Sequence, residues 1–443
     1  MASVANGQII SEDLKLVPGD GTVGQEFGCA VEIDQGIMVI GARGDSTLGT
    51  DAGAAYLFDT MTGALIAKLL PDDGAAGDSF GYSVAIHDGV VAVGAPEHDD
   101  SGTDSGAAYL FDASTGAQLM KITPNDAEEG DEFGNSIDID GGTIAVGAWR
   151  ADEFGDASGA AYLFDASTGI QTGKVLPATG GNFQTFGVSV AVDDGIVAVG
   201  ARTFFVLGDG FTFARVYLFD ASTGAQTGVL RADIENFNGD QGGHFGDSVD
   251  IDDGIVAVGA WGRSIFFDHS GAAYTFDAST GEQLQFIFPA DGQDRDNFGV
   301  SVAIDNGVIA IGSHQDDVNG FNAGSAYLYD GVSGVLMNKV LASDGAPSDS
   351  FGTSVAIENE VIAIGAIGDE DNGSRSGSVY LVGSSGASCP ADLTGDGNLD
   401  FFDVSAFLSA YNAMDPIADF TGDGVYDFFD VSAFLSAYNA GCP

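Results

Sequence analysis

Cations are scarce in this chain. Its 443 residues hold 13 Lys and Arg against 66 Asp and Glu, a formal charge of −53. That balance excludes nucleic acid and anionic membranes as partners. No apolar run approaches the roughly 18 to 20 residues that a membrane helix needs, and the opening MASVANGQIISEDLK has no apolar segment of the kind that marks a signal peptide. Cysteine is limited to Cys29, Cys389 and Cys442; the last two bracket the C-terminal segment, each followed by Pro, so two are expected to pair and one to be spare. The five His residues share no metal spacing, and no Ser-His-Asp or Cys-His grouping assembles from the sequence. What is abundant is glycine, 67 residues, and phenylalanine, 31, within a hydrophobic fraction of 44%. An acidic polymer without a core is thereby excluded.

Phe-Gly recurs at Phe27, Phe80, Phe133, Phe186, Phe245, Phe298 and Phe351, at spacings of 53 residues except for one of 59. Fifteen residues beyond each Phe stands Ala42, Ala95, Ala148, Ala201, Ala260, Ser313 or Ala366, always preceded by Gly. Between the markers, two short β-branched runs flank turn dipeptides such as Asp88-Gly89 and Asn306-Gly307. A third run centres on Tyr56 and its equivalents, and a fourth commonly ends in Pro, which stops a strand. Each unit therefore reads as four antiparallel strands, and a period near 50 residues predicts a propeller. The last unit lacks a fourth strand, whereas Leu14-Lys15-Leu16-Val17-Pro18 supplies one at the N-terminus. The expectation is a mainly β, seven-bladed propeller closed by that strand.

These residues resemble the FG-GAP family, the repeat of the integrin α-subunit head, over about residues 14–382; Gly94-Ala95-Pro96 is its one complete second marker. The acidic calcium loop that such blades carry between their first two strands is replaced here by a tight Asp-Gly turn. The longer loops emerge on the opposite face, where function is expected. That face receives Arg43, Trp149, Arg150, Arg202, Trp261, Arg263 and His314, residues suited to glycans or carboxylates, although each Arg could equally neutralise acidic neighbours and each Trp cover a blade junction. Phe204 and Phe205 stand in an aromatic-rich insertion of the fourth unit, which reads as a contact patch or as a hairpin packing on itself. Arg43-Gly44-Asp45 matches an integrin-recognition tripeptide and reads as a chance product of a Gly- and Asp-rich chain.

The tail repeats itself. Asp392, Thr394, Asp396, Asn398, Asp400 and Asp403 recur 27 residues later as Asp419, Thr421, Asp423, Val425, Asp427 and Asp430. Carboxylates at positions 1, 5, 9 and 12, Thr at 3, a carbonyl at 7 and Gly at 6 follow the EF-type loop, so two calcium ions are expected. Each loop leads into one helix with Val404, Phe407, Leu408 and Tyr411, or their copies, on one face. Residues 400–413 and 427–440 are identical, so near two-fold symmetry is expected. Loop and helix in duplicate resemble type I dockerins, and the Cys-Pro ends resemble the variant form of planctomycete-like bacteria. The resemblance implies attachment to a cohesin-like partner, with Phe401, Phe402, Phe428 and Phe429 at the recognition positions or packed between the helices. It also implies a Cys389 to Cys442 clasp, hence an oxidising compartment.

The organisation expected is therefore an N-terminal extension over 1–13, the propeller over 14–382, a linker over 383–388 and a small α dockerin-like domain over 389–443. The function read from it is a secreted, non-catalytic binding or scaffold protein at the cell surface or beyond, taking a glycan or protein ligand on its propeller. A dockerin-borne polysaccharide hydrolase or lyase is the second reading, and a calcium-dependent surface-layer or matrix component the third.

Overall fold

Each Phe-Gly corner opens the innermost strand of a four-stranded sheet. The first sheet, blade 1, comprises Phe27–Asp34, Ile37–Ala42, Ala54–Asp59 and Leu65–Leu69, paired in sequence order. Six more sheets of the same plan follow in the computed structural model, giving a seven-bladed propeller of antiparallel four-stranded blades. The structure describes residues 8–178, 180–202, 214–232, 243–265, 267–383, 393, 401–413, 418, 420 and 428–440. Residues 1–382 and 383–443 form two separate units.

The invariant interval between the sequence markers has a geometric cause. Phe27 pairs across the first hairpin with Ala42, Phe133 with Ala148, Phe186 with Ala201 and Phe351 with Ala366, each with a bulge inside the corner. The residue before the Phe and the Gly after it both take left-handed backbone, as at Glu132 (φ 51°) and Gly134 (φ 94°). This turns the Gly carbonyl toward the preceding blade. A methyl group on Gly94 would lie 2.0 Å from the Gly134 carbonyl oxygen, and the same near-contact recurs at every seam, ending with Gly365 against Gly28 at 2.1 Å. A hydroxyl completes five of the seams: Ser83 Oγ donates to Gly134 O at 2.8 Å, as Ser354 Oγ does to Gly28 O. The Phe rings are buried between blades and meet the Tyr of their own third strand edge-on, at 5.3 Å for Phe27 and Tyr56.

The ring closes as the sequence predicts. Leu14–Leu16 pairs antiparallel with Ser378–Val382 and becomes the fourth strand of blade 7. Lys15 carries its ammonium into three carboxylates, Asp344 at 2.6 Å, Asp369 at 2.9 Å and Asp371 at 2.7 Å. Burial opposes that charge, but the hydrogen bonds outweigh it and hold the Lys15 pKa above its ordinary value. The N-terminal segment does more than extend. Gln8–Ile10 pairs in parallel with Asn338–Val340 and adds a fifth strand to blade 6. Three residues without alternation carry no strand signal in sequence; the neighbouring blade edge imposes the conformation.

Three carboxylates converge toward the propeller axis. Glu32, Asp138 and Asp250 hold one position in the first strands of blades 1, 3 and 5, where blades 2, 4, 6 and 7 have Ala85, Ala191, Ala303 and Ala356. Asp138 accepts hydrogen bonds from Ile139 N at 2.8 Å and Val192 N at 2.6 Å; Asp250 accepts from Ile251 N at 2.8 Å and Ile304 N at 2.7 Å. They thus satisfy the unpaired inner edge of the next blade. Loss of solvation, reinforced by repulsion from neighbouring carboxylates (Asp140 at Asp138, Asp138 at Asp250), raises Glu32 and moves Asp138 to about 6 and Asp250 to about 8.

Among its described residues the second unit has two helices, Phe401–Ala413 and Phe428–Ala440, with the same sequence. Its core centres on Phe407, Phe434 and Ala418, and the two equivalent phenylalanines stack at 4.1 Å with an interplanar angle of 5°. Val404 and Tyr411 pack at its margin with Val431 and Tyr438. Leu408 and Leu435 depart from the expected face, being 50% and 44% exposed. Two short helices bury a narrower stripe than a helix laid on a large core.

Two outcomes are expected. A carboxylate whose folded pKa lies above its unfolded value contributes stability that is fully present at low pH and lost as pH rises through the folded pKa. The melting temperature of the intact chain should therefore fall between pH 5 and pH 8.5, and Asp250→Asn should flatten the upper part of that slope, by about 2 kcal/mol over the last one to two pH units. Scanning calorimetry across that range checks it; an unchanged slope in the variant refutes it. Lys15→Ala should destabilise the ring closure by about 2 kcal/mol, since three carboxylates lose their cation. Urea unfolding followed by proteolysis near Gly383 measures it, with Lys15→Arg expected to retain most of the stability.

Candidate ligand site at the axial mouth

The seven Phe-Gly corners and Gly-Ala ends meet on the long-loop face around the axis. Residues that follow a Phe-Gly in blades 1 to 6, or a Gly-Ala in blades 1, 3, 4 and 5, wall a cavity of 390 Å³. Cys29 and Arg43 come from blade 1, Tyr82 from blade 2, Asn135 and Trp149 from blade 3. Val188 and Arg202 of blade 4, Asp247 and Trp261 of blade 5 and Val300 of blade 6 complete it. The corner backbone that seals the seams is thus also what points these side chains inward.

The walls are held by hydrogen bonds. Arg43 Nε donates to Glu26 at 2.6 Å and its guanidinium lies over the Tyr82 ring at 5.4 Å. Trp149 Nε1 donates to Glu132 at 2.6 Å, and Arg150 covers the Trp149 ring at 4.7 Å while pairing with Glu132. Asp247 is the hub of the opposite wall. Its Oδ2 accepts from Arg202 Nη1 at 2.9 Å, Trp261 Nε1 at 2.9 Å and His244 Nδ1 at 3.0 Å, and His244 stacks on Trp261 at 3.9 Å. Asp247 Oδ1 is buried and has no protein partner, on a side chain only 10% exposed. An unsatisfied buried carboxylate oxygen on a cavity wall calls for a donor. Burial raises the Cys29 thiol pKa and keeps it protonated, so it lines the wall without a nucleophile's charge.

Of the residues that the sequence placed on this face, Arg43, Trp149, Arg202 and Trp261 come together at the mouth. Arg150 lies outside, over Trp149, and Arg263 is 1% exposed. His314 sits in the same ring position in blade 6, where burial lowers its pKa to about 4. Phe204 and Phe205 lie outside the described residues. Asp45 of the tripeptide is buried and bonded to Lys68, Gln25 and Tyr56, so that sequence is not a displayed loop. Of the tail residues, Asp403 and Asp430 are fully buried in the first turns of their helices. The side chains of Phe401, Phe402, Phe428 and Phe429 lie outside what is described, as do Cys389, Cys442 and the loop positions Asp392, Thr394, Asp396, Asn398, Asp400, Asp419, Thr421, Asp423, Val425 and Asp427.

Sequence reasoning missed a second set of sites under the outer loops. Lys15, Lys68, Lys121, Lys174 and Lys339 occupy one position of the fourth strand, each beside the third-strand Tyr. Lys68 reaches Asp20 at 2.6 Å and Asp45 at 2.9 Å; Lys339 reaches Asp291 at 2.7 Å and Asp316 at 2.8 Å. Lys174 pairs with Asp126 and Glu153. Among the described residues two groups have metal-like spacing, Asp73 with His98 and Asp100, and Asp344 with Asp369 and Asp371. Lys121 and Lys15 already sit within them, so the cation there is an ammonium. The signal was present as lysine at the repeat spacing of 53 residues. Blades 4 and 5 carry Val229 and Phe286 instead.

A family model described as the FG-GAP repeat matches residues 10–58, 64–111, 117–164, 282–329 and 335–382. The longest unmatched span, 165–281, holds blade 4 and the first three strands of blade 5, the two blades that lack the lysine. No curated protein matches the chain. Among solved structures, the computationally designed Ika8 protein aligns with 15% identity over 84% of this chain and 99% of its own, at a TM-score of 0.49. With five units matched, over more than half of its length, the chain belongs to the FG-GAP repeat family.

Proposed function

We propose that the chain is a non-catalytic binding or scaffold protein of an extracytoplasmic surface, with the axial mouth of the propeller as its ligand site and the tail as its attachment module. The observation that carries this reading is the mouth itself: two arginines and three aromatic rings gathered around one cavity, in a chain with 13 cations and two tryptophans. Arg43 lies over the Tyr82 ring, Arg202 is held at the wall by Asp247, and Asp247 keeps one buried oxygen without a protein partner. That combination suits a glycan: a pyranose ring stacks on an indole, hydroxyls donate to the free carboxylate oxygen, and an acidic sugar meets guanidinium groups. The wall groups are committed to one another, which favours holding a ligand over moving protons.

For the tail, the buried Asp403 and Asp430 support calcium folding, since each ends a loop whose other donors are oxygen atoms. Two calcium ions would be held by Asp392, Thr394, Asp396, Asp400 and Asp403 with the Asn398 carbonyl, and by Asp419, Thr421, Asp423, Asp427 and Asp430 with the Val425 carbonyl. Bound calcium supplies the charge that lets these carboxylates fold together. A dockerin-like module of this kind, closed by a Cys389 to Cys442 disulfide, attaches the propeller to a cohesin-like or cell-surface protein.

Two measurements test the two halves. On a glycan array, Trp149→Ala and Arg202→Ala should each weaken retention of the intact chain about tenfold; undiminished binding removes the mouth as the site, and turnover of any polysaccharide removes the non-catalytic reading. In affinity capture from envelope and secreted proteins, the intact chain should retain a partner in calcium and release it in chelator, while a chain ending at residue 386 should not capture it. Capture by the shortened chain would move attachment to the propeller.

A further inference from the structure

Blade 7 breaks the repeat at two positions, and both breaks face one cavity. In blades 1 to 6 the third strand carries an aromatic residue two places after its Tyr: Phe58, Phe111, Phe164, Phe219, Phe276 and Tyr329. Each packs edge-on against the Phe of its own Phe-Gly corner, at 5.7 to 6.1 Å. Blade 7 has Val382 there. The second break is in the first hairpin. Its second turn residue has left-handed backbone in all seven blades and is glycine in six, but Glu360 in blade 7, at φ 70°. A glutamate in that conformation is strained where glycine would not be, and strain kept against a repeat consensus points to use.

Val382 and Glu360 line the same cavity of 540 Å³ between blades 6 and 7. Its walls are aliphatic, with Ile10, Val308, Leu328, Met337 and Ile357 around Val382. At the other seams, the turn between the third and fourth strands covers the neighbour's outer strand, as Gly169 does over Met120 and Ile122. Blade 7 has no such turn, because its fourth strand comes from Leu14–Leu16. Ring closure alone accounts for that opening. It does not account for Val382 or Glu360, since an aromatic residue and a glycine at those positions would serve the seam as they do six times elsewhere.

We infer that this seam is a binding site for a small arylalkylamine, with the aryl ring in the space that a third-strand aromatic fills in the other blades and the ammonium at the rim. The volume falls within the range of small-molecule pockets. The rim offers Glu360 and Asp305 with Asn338, and among the described residues no cation lines the cavity. Asp305 Oδ2 already accepts from Asn359 N at 2.7 Å, which leaves Glu360 as the principal counter-charge. The site is independent of the axial mouth, which opens on the other face of the ring.

Isothermal titration of the intact chain with 2-phenylethylamine tests the inference, with 2-phenylethanol and 3-phenylpropionate as neutral and anionic analogues. The amine should bind, and the carboxylate should bind at least about tenfold more weakly. Val382→Phe restores the repeat consensus, so it should fold with equal or higher melting temperature and lose at least about tenfold in amine affinity. Glu360→Gly should relieve the turn and weaken the amine about fivefold while leaving 2-phenylethanol unchanged. Absence of amine binding at about 10 mM, retention of affinity in Val382→Phe, or equal affinity for amine and carboxylate would each overturn it.

Discussion

The approach of two glycines across each seam is the contact on which the propeller depends. The Gly of one Gly-Ala marker lies against the carbonyl of the next Phe-Gly, leaving no room for a methyl group at any of the seven seams. This sets how near adjacent inner strands can come, and so the radius at which seven blades close. The same corner buries its Phe between blades and aims the following side chain at the axis. Packing, closure and the composition of the mouth are thus consequences of one backbone geometry.

Electrostatics follow from where the few cations are placed. With 13 Lys and Arg for 66 acids, surface neutralisation is out of reach, and exposed pairs would contribute little in any case. Five lysines instead enter half-buried clusters of two or three carboxylates under a tyrosine ring, where one ammonium offsets several charges in a medium that screens them less. Arg43 and Arg202 go to the axial mouth. At the axis, carboxylates remain without a cation and respond by holding their protons, as Asp250 does. The acid excess is therefore carried mainly by loops and turns, where water solvates it.

The repeat and its closure were legible because they rest on local rules: a fixed cross-strand register, a turn dipeptide, and a fourth strand missing at one end and present at the other. The axial cavity was legible in part. Arg43, Trp149, Arg202 and Trp261 follow the Gly-Ala marker and could be grouped by position, but Asp247 could not be singled out, since its role depends on His244, Trp261 and Arg202 meeting it from three directions. Gln8–Ile10 carries no periodic signal, and its conformation comes from the edge it joins. Leu408 was misplaced for a related reason: helical period marks every apolar residue on a broad face, while two stacked phenylalanines define a core too narrow to reach it.

In a repeat fold, the positions shared by all blades describe how the ring is held together, so chemistry belongs to the positions that differ. Trp261 with Asp247 in blade 5 and Arg202 in blade 4 are such departures, and they fall within the span that the family model leaves unmatched. Those blades also lack the lysine that anchors the outer cluster elsewhere, so their loops are released from the constraint that fixes the other five. Blade 7 departs differently, by losing an aromatic ring and gaining a strained glutamate beside the opening that ring closure creates. Seven copies of one unit satisfy the seams many times over. That redundancy in stability is what allows two or three copies to give up consensus residues at a mouth or a seam without loss of the fold.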